Sequence, residues 1–294
     1  MKKLAISISG GGALGIGPLQ FMCRLEQDLG KKEQDLGKKL GDKAFAFAGT
    51  STGSIIAAGL AEGKSAHELF ALYSDNLKKI FTKYPAYKRV LPKCPTYDNS
   101  NLKKLLKENF KGKMGDWKKP IYIPVTYMNG DSEEKVWDLG DKDVEKWFAV
   151  LTSCSAPKYF DVIEKDGKSM CDGGLWGNDP VMTLQSGLNK SGHSGYKILT
   201  FNTGMDTPNT AKGNMTSLDW LKYIFGHWVA RSGKANYYEV CANIGAENVF
   251  RASPSYKKEI KMDDVSTDTI NKVVEIWNKY YDSVRTDILA FMKK

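Results

Sequence analysis

Residues 43–60 of the chain read KAFAFAGTSTGSIIAAGL: an apolar run, a cluster of small residues, and a second apolar run. This pattern predicts a buried strand over 43–48, a tight turn around Ser51 and a helix over 54–60. The turn has the form Gly-x-Ser-x-Gly, in which the flanking glycines allow a sharp bend that exposes the serine hydroxyl. The helix would aim its N-terminal amides at the same point and favour negative charge there. Taken alone, the pattern is equally compatible with an ordinary turn before a helix.

A second glycine-rich turn lies near the N-terminus. Residues 4–9 alternate like a strand, and Gly10, Gly11 and Gly12 follow, before an apolar helix predicted over 19–29. Consecutive glycines leave main-chain amides unobstructed, which suits a phosphate or the oxyanion of an acyl-transfer reaction. The spacing also fits a dinucleotide-binding fingerprint. That alternative is disfavoured, because no acidic residue ends the second predicted strand.

A carboxylate follows much later, at Asp172, which precedes two glycines and comes after the short run 169–171. Glycines beside an aspartate at a strand end let the carboxylate approach another loop closely. An Asp-Gly hairpin turn is the structural alternative. The neighbouring Cys171 is interpreted as a packed thiol rather than as a nucleophile.

The chain contains three histidines, which are the usual base of a serine hydrolase triad. His67 is expected in the first turn of a helix, and His227 within an aromatic helix, both as ordinary surface or core residues. His193 lies in a loop flanked by glycines. It is the one plausible triad base, and we keep it as a minor alternative.

The order of these motifs, together with the run SAPKYF at 155–160, resembles that of the patatin-like phospholipase family. The resemblance covers residues 4 to about 180. It implies an α/β fold of three layers, α/β/α, with a largely parallel central sheet. It also implies an acyl hydrolase of the phospholipase A or lysophospholipase type, which cleaves fatty acyl esters of membrane glycerophospholipids through an acyl-enzyme.

The resemblance further implies a Ser–Asp dyad without histidine. Ser51 matches the nucleophile of the family and Asp172 its dyad carboxylate. The oxyanion loop is matched by Gly10, Gly11 and Gly12. The chain departs from the family at Leu14, where Lys or Arg usually stands. A catalytically inactive patatin-fold module that binds lipid or a protein is the alternative function.

The remaining pattern predicts a single domain over 1–294, with a C-terminal helical region, 217–294, packed on the part that carries the motifs. We expect that region to be interrupted near Gly233. Alternating strands and helices predict a largely parallel sheet that is covered on both faces. Further strands are predicted at 120–127, 134–138 and 197–202, the second able to pair with the first as a hairpin across residues 129–131. Further helices are predicted at 102–110, 144–154 and 270–291.

Composition limits the partners. The chain has 294 residues, 41% of them hydrophobic, and a formal net charge of +9. Its lysines are spread over many segments and no nucleic-acid-binding signature is present, so we expect no nucleic-acid partner. A basic surface favours peripheral contact with anionic membranes, beside a phospholipid or lysophospholipid substrate. The segment 73–97 mixes apolar and basic residues, as a lid or a packed loop would.

The five cysteines are scattered and show no metal-binding spacing. We therefore expect reduced thiols, no metal, no cofactor and a cytoplasmic location, with peripheral membrane association as an additional expectation. The N-terminal apolar stretch has only the length of a strand and ends in glycines, which argues against a signal peptide.

Overall fold

The computed structural model describes residues 2–32, 39–89, 94–129, 133–204, 213–217, 219–220, 229–258 and 260–294. The strands are β1 (Lys3–Ile8), β2 (Ala44–Gly49), β3 (Ile121–Tyr127), β4 (Glu133–Trp137), β5 (Ile163–Lys165), β6 (Lys168–Asp172), β7 (Tyr196–Phe201) and β8 (Val249–Ala252). The helices are α1 (Ile16–Lys32), α2 (Leu40–Lys43), α3 (Thr52–Ala61), α4 (Ala66–Ile80), α5 (Ala86–Arg89), α6 (Ser100–Asn109), α7 (Lys146–Ser153), α8 (Gly174–Gly177), α9 (Val181–Lys190), α10 (Val229–Ile244) and α11 (Thr267–Lys293).

The strands form one sheet in the order β5-β6-β3-β2-β1-β7-β8, and β4 pairs with β3. Five neighbouring strands run parallel to one another, in the order β3, β2, β1, β7 and β8. Strands β4 and β6 pair antiparallel with β3, and β5 pairs antiparallel with β6. The prediction of a largely parallel sheet is confirmed, and so is the pairing of β3 with β4. Parallel strands buried on both faces need helices on both sides, and the chain supplies them.

The side chains of neighbouring strands divide into two cores. One core contains Ile6 and Phe47, together with apolar residues of α1, α3, α4 and α11. The other contains Ala5, Ala46 and Ile198, together with apolar residues of α9 and α10. Because residues alternate along a strand, Leu4 and Ala5 point to opposite faces. The architecture is therefore a mixed sheet between two helical layers, as the sequence predicts.

The long C-terminal helix α11 packs against α1. The ring of Phe21 meets those of Trp277 and Tyr281 edge-on, with centroids 6.2 and 4.9 Å apart. The buried carboxylate of Asp28 accepts hydrogen bonds from Tyr281 at 2.7 Å and from Arg285 at 2.6 and 2.8 Å. The helical spacing of apolar residues over 270–291 therefore identified a packed helix.

The predicted interruption near Gly233 is wrong, because α10 runs through this residue. A Cβ at position 233 would lie 2.4 Å from the Cβ of Asp179. Glycine here lets two segments approach closely instead of ending the helix. The expected aromatic helix around His227 lies outside the described residues.

Candidate active site

Two turns meet at the carboxyl edge of the sheet, because β1 and β2 are adjacent and parallel. Ile8 at the end of β1 is in register with Gly49 at the end of β2. The glycine loop and the turn around Ser51 therefore leave the sheet side by side. A Cβ placed on Gly10 would come within 3.1 Å of the Ser51 Cβ. The carboxyl ends of neighbouring strands are where open α/β sheets commonly place their ligand sites.

Ser51 has the backbone conformation of a strained turn, with φ 53° and ψ −125°. Its amide donates to Ser153 Oγ at 3.0 Å. Its carbonyl accepts from Ser54 Oγ at 2.6 Å and from Cys154 Sγ at 3.1 Å. These contacts hold a non-glycine residue at positive φ, which is costly unless the surroundings enforce it. α3 begins at the next residue, so its N-terminus points at the hydroxyl.

Asp172 ends β6, which pairs with β3 so that Asp172 lies opposite Val125. Its side chain is almost fully buried, and its Oδ1 accepts a hydrogen bond from the Gly174 amide at 2.7 Å. Burial raises the pKa of Asp172 to about 7, although hydrogen bonds from the Ser51 side chain and the Gly174 amide pull it down. The structure thus brings Ser51 and Asp172 together from segments that are remote in sequence.

The three loop glycines differ in how their amides are used. The Gly10 amide donates to the carbonyl of Asn178 at 3.0 Å. The amides of Gly11 and Gly12 have no acceptor among the described residues. Gly12 has φ +55°, and a Cβ there would lie 2.3 Å from the carbonyl oxygen of Met262, so only glycine fits. Two amides of the loop are available to a ligand.

Leu14, which stands where the family usually has a cation, is packed in the hydrophobic core. It is 1% exposed, and its amide donates back to the Gly11 carbonyl at 3.1 Å. The position therefore supports the glycine loop from behind through apolar packing. It places no charge at the site.

His193, the candidate triad base, lies away from Ser51. The His193 ring packs edge-on against Phe45, with centroids 5.3 Å apart, at the start of β2. Ser51 lies six residues further along the strand direction, roughly 20 Å away at about 3.3 Å per residue. His67 occupies the first turn of α4, as expected. His193 thus lies near the amino-terminal end of β2, whereas Ser51 follows the carboxyl-terminal end of that strand. This separation rules out His193 as the base of a triad with Ser51.

Burial disfavours the thiolate form of the two nearby cysteines, Cys154 and Cys171. Burial raises the pKa of Cys171 to about 11, and it raises the pKa of Cys154 further. With these raised pKa values, both thiols stay protonated at neutral pH. A protonated thiol is a poor nucleophile, because the thiolate is the reactive form. Within the described ranges, no group of histidine, cysteine, aspartate and glutamate side chains could hold a metal ion.

The described part of the segment 73–97 packs against residues 158–161, which precede β5. The Tyr97 amide donates to the Tyr159 carbonyl at 2.8 Å, and the two rings stack. The Tyr84 hydroxyl donates to Asp161 at 2.9 Å. Residues 90–93 lie outside the described residues. The segment is not one loop, because its residues 73–80 belong to α4 and its residues 86–89 form α5.

Two contributors to the site were missed at the level of sequence. Ser153 accepts the hydrogen bond from the Ser51 amide, and the Asn178 carbonyl holds Gly10. Ser153 carries a weak signal, because it is a small polar residue at the end of a mostly apolar helix. The role of Asn178 depends on its backbone carbonyl, which side-chain patterns do not reveal.

None of the helices in the described part of the chain is both long and apolar enough to cross a bilayer.

Comparison with known proteins places the chain. The family model for patatin-like phospholipase matches residues 6–184. The chain is 30% identical over 185 residues to a cGAMP-activated phospholipase of Pseudomonas aeruginosa, covering 60% of this chain and 53% of that protein. It is 29% identical over 199 residues to an intracellular phospholipase A2 of Caenorhabditis elegans, covering 62% of this chain and 16% of that protein. VipD from Legionella pneumophila aligns in structure with a TM-score of 0.44 at 13% identity, over 95% of this chain and 67% of VipD.

The chain spans about half the length of the cGAMP-activated relative that it matches. The matched family region contains the glycine loop, the turn around Ser51 and Asp172, and it makes up more than half of the chain. The chain belongs to the patatin-like phospholipase family.

Proposed function

We propose that this chain is a serine acyl hydrolase that cleaves fatty acyl esters of membrane glycerophospholipids or lysophospholipids. Ser51 is the nucleophile and Asp172 is its base. The observation that carries the proposal is the pairing of a half-buried serine at a strained turn with a buried carboxylate whose pKa is raised to about 7. A carboxylate at its ordinary pKa is a poor base for an alcohol, and a base with a pKa near the working pH is far better.

The reaction follows from this geometry. Asp172 takes the hydroxyl proton as Ser51 Oγ attacks the acyl carbonyl carbon, and a tetrahedral intermediate forms. The amides of Gly11 and Gly12 stabilise its oxyanion, an effect of about 3 kcal/mol per donor. As the intermediate collapses, Asp172 returns this proton to the leaving oxygen, so the neutral alcohol departs and an acyl group stays on Ser51. Asp172 then activates a water molecule, which hydrolyses the acyl-enzyme and restores the serine.

Only two of the three loop glycines are assigned as donors to the oxyanion. Gly10 belongs to the loop, but its amide is already bound to the Asn178 carbonyl. We therefore assign Gly10 to holding the loop and Gly11 and Gly12 to binding the oxyanion. The N-terminus of α3 faces the same point and adds to the favourable field.

A fluorophosphonate probe tests the nucleophile directly. Wild-type protein should be labelled and should release fatty acid from phosphatidylcholine or lysophosphatidylcholine vesicles. Ser51→Ala should lose both properties, and His193→Ala should retain both. Labelling or turnover that survives in Ser51→Ala would remove Ser51 from the mechanism. A folded wild-type protein that is neither labelled nor active would favour the inactive lipid- or protein-binding module.

We further propose that the protein contacts anionic membranes peripherally. Along the exposed side of α6 runs a groove of about 540 Å³, lined by Ser100, Lys103, Lys104, Lys107, Glu108 and Lys111. Two of these lysines lie over the ring of Trp147, at 5.7 and 4.5 Å from its centroid. Four lysines against one glutamate give a net positive surface that attracts anionic headgroups.

Vesicle sedimentation tests this contact. Binding should be stronger to vesicles containing phosphatidylglycerol than to phosphatidylcholine alone, and it should weaken as salt is raised. The double variant Lys103→Gln/Lys107→Gln should bind several-fold less. The matched control Lys190→Gln/Lys234→Gln removes the same charge from exposed residues of α9 and α10, on the opposite face of the sheet. Equal losses in both variants would mean that α6 has no special role.

Two further proposals concern the regulation of this protein and its location in the cell. Activation by cGAMP is stated of relatives that extend well beyond the matched region. The vesicle assay should therefore be run with and without cGAMP, and with no added metal or cofactor. We propose a cytoplasmic location, in keeping with the five free cysteines.

A further inference from the structure

The segment between Asp172 and α9 connects two parts of the site. It begins at the proposed base and reaches Asn178, whose carbonyl accepts the Gly10 amide at 3.0 Å. The next residue, Asp179, is 2% exposed and forms an ion pair with Arg251 of β8. Asp179 Oδ1 also accepts the amide of Val181 at 3.3 Å, at the start of α9. The Asn178 carbonyl is thus adjacent to a buried, charged anchor.

Arg251 reaches this anchor through the register of the sheet. It lies beside Thr200 of β7, which lies beside Ser7 of β1, so the three side chains share the face under α9 and α10. The guanidinium also lies against the Tyr237 ring, 5.3 Å from its centroid. Among the described residues, Arg251 Nη2 and the hydroxyls of Ser7 and Thr200 have no hydrogen-bond partner. Asp179 is therefore the anion that compensates a nearly fully buried cation.

The glycine loop is held from two sides. Thr203 Oγ1 donates to the Gly10 carbonyl at 2.7 Å, and the Asn178 carbonyl accepts the Gly10 amide. The Thr203 side is itself fixed, since the Tyr256 hydroxyl donates to the Thr203 carbonyl at 3.2 Å. The Asn178–Asp179 peptide holds the loop from the other side, because its orientation directs the Asn178 carbonyl at the Gly10 amide. A rotation of that peptide would release Gly10 and turn the amides that follow it.

We propose that the buried Arg251–Asp179 ion pair is a positioning device for the oxyanion loop. It fixes the Asn178 carbonyl against Gly10, and so aims the amides of Gly11 and Gly12 at the reacting carbonyl. Neither charged group touches the substrate. The inference rests on the proposed hydrolase function, and it adds two positioning residues to Ser51, Asp172 and the loop glycines.

The expected effect is on the transition state. A displacement of about 1 Å in a catalytic group costs up to about 100-fold in rate, and loss of an oxyanion donor costs about 100-fold or more. Arg251→Met should lower kcat about 10- to 100-fold on a p-nitrophenyl ester, with KM changed less than about threefold. Arg251→Lys, which keeps the charge, should recover part of the loss.

A trifluoromethyl ketone separates positioning from folding, because its bound hemiketal oxyanion occupies the proposed hole. Its inhibition constant should rise in Arg251→Met by about the same factor as kcat/KM falls. A residue that acts through stability alone would leave this constant unchanged in the folded fraction. The measurement is made at a temperature well below the melting transition of each variant.

Single variants leave one buried charge unpaired and so risk misfolding. The double variant Asp179→Asn/Arg251→Met removes both charges, and we expect it to fold but keep the low kcat. The matched control is Arg285→Met, which breaks the Arg285–Asp28 pair between α11 and α1. It should lower thermal stability without changing kcat or inhibitor affinity.

Two outcomes would overturn the proposal in distinguishable ways. A folded double variant with kcat and inhibitor affinity within about twofold of wild type would overturn the positioning role alone, and Ser51 chemistry would stand. Wild-type protein that shows neither fluorophosphonate labelling nor ester turnover would overturn the proposed function, and the positioning role with it.

Discussion

The amide of Ser51 donates a hydrogen bond to Ser153 Oγ at 3.0 Å, and the same hydroxyl donates to the Pro124 carbonyl at 2.7 Å. One buried side chain thus ties the strained turn to β3. That strand pairs with β6, which carries Asp172. The distance between the proposed nucleophile and its base is therefore set through a hydroxyl that takes no part in the chemistry.

Replacing Ser153 by alanine should loosen this connection. The Ser51 amide would lose its acceptor in a buried environment, at a cost of about 1–3 kcal/mol in the free energy of unfolding. We expect kcat to fall about tenfold, because the turn gains freedom. Ser155→Ala is the control, since the Ser155 hydroxyl bonds only to the Leu151 carbonyl at 2.8 Å among the described contacts. Equal effects of both substitutions on kcat would contradict the connection.

The backbone of Ser51 stores strain that glycine would relieve. Glycine adopts positive φ without steric cost, whereas alanine does not. Ser51→Gly should therefore be more stable than Ser51→Ala by about 1 kcal/mol, although both are expected to be inactive. Urea denaturation of the two variants measures the difference. Equal midpoints would indicate that the positive φ at this turn carries no strain.

The pH dependence of the rate should follow Asp172. With its pKa raised to about 7 by burial, the carboxylate is protonated, and useless as a base, at lower pH. We expect kcat/KM to fall about tenfold per pH unit below 7 and to level off above it. Stopped assays between pH 5 and 9 on a soluble ester give the profile. Full activity retained at pH 5 would show that this aspartate ionises in its ordinary range.

The same pKa has a consequence for stability. Unfolded protein ionises Asp172 above its ordinary pKa of 3.8, while the folded protein keeps the proton up to about pH 7. The folded state thus holds an extra proton between these values, so the contribution of Asp172 to the free energy of unfolding is largest below pH 4 and is lost as the pH rises from about 4 through 7. The gap corresponds to about 4 kcal/mol at most.

Asp172→Asn removes this pH-dependent loss of stability, because asparagine does not ionise. The asparagine amide oxygen can still accept the hydrogen bond from the Gly174 amide. The stability of the variant relative to wild type should therefore rise between pH 5 and pH 8. Paired thermal melts of the two proteins across this range test the prediction. A constant difference between them would mean that burial does not perturb this carboxyl group. Activity should be lost in the variant at every pH.

Much of the secondary structure of this protein was predictable from short, contiguous stretches of its sequence. Apolar runs, glycine turns and helical spacing are nearest-neighbour properties, so they predicted the strands around the glycine loop and Ser51, the hairpin of β3 and β4, and the helix over 270–291. The failure at Gly233 has the opposite cause. Glycine normally weakens a helix, but here a neighbouring chain segment at Asp179 requires the missing side chain. That requirement is invisible to any local pattern.

The sequence by itself determined the fold class and the candidate residues Ser51, Asp172 and the three glycines, because their motifs are short and contiguous. Only the tertiary structure decided that His193 lies at the far edge of the sheet and that the Gly10 amide is occupied. The raised pKa of Asp172 and the Arg251–Asp179 pair also belong to the structure. Burial and hydrogen bonding between strands remote in sequence create these properties, and no single segment contains them.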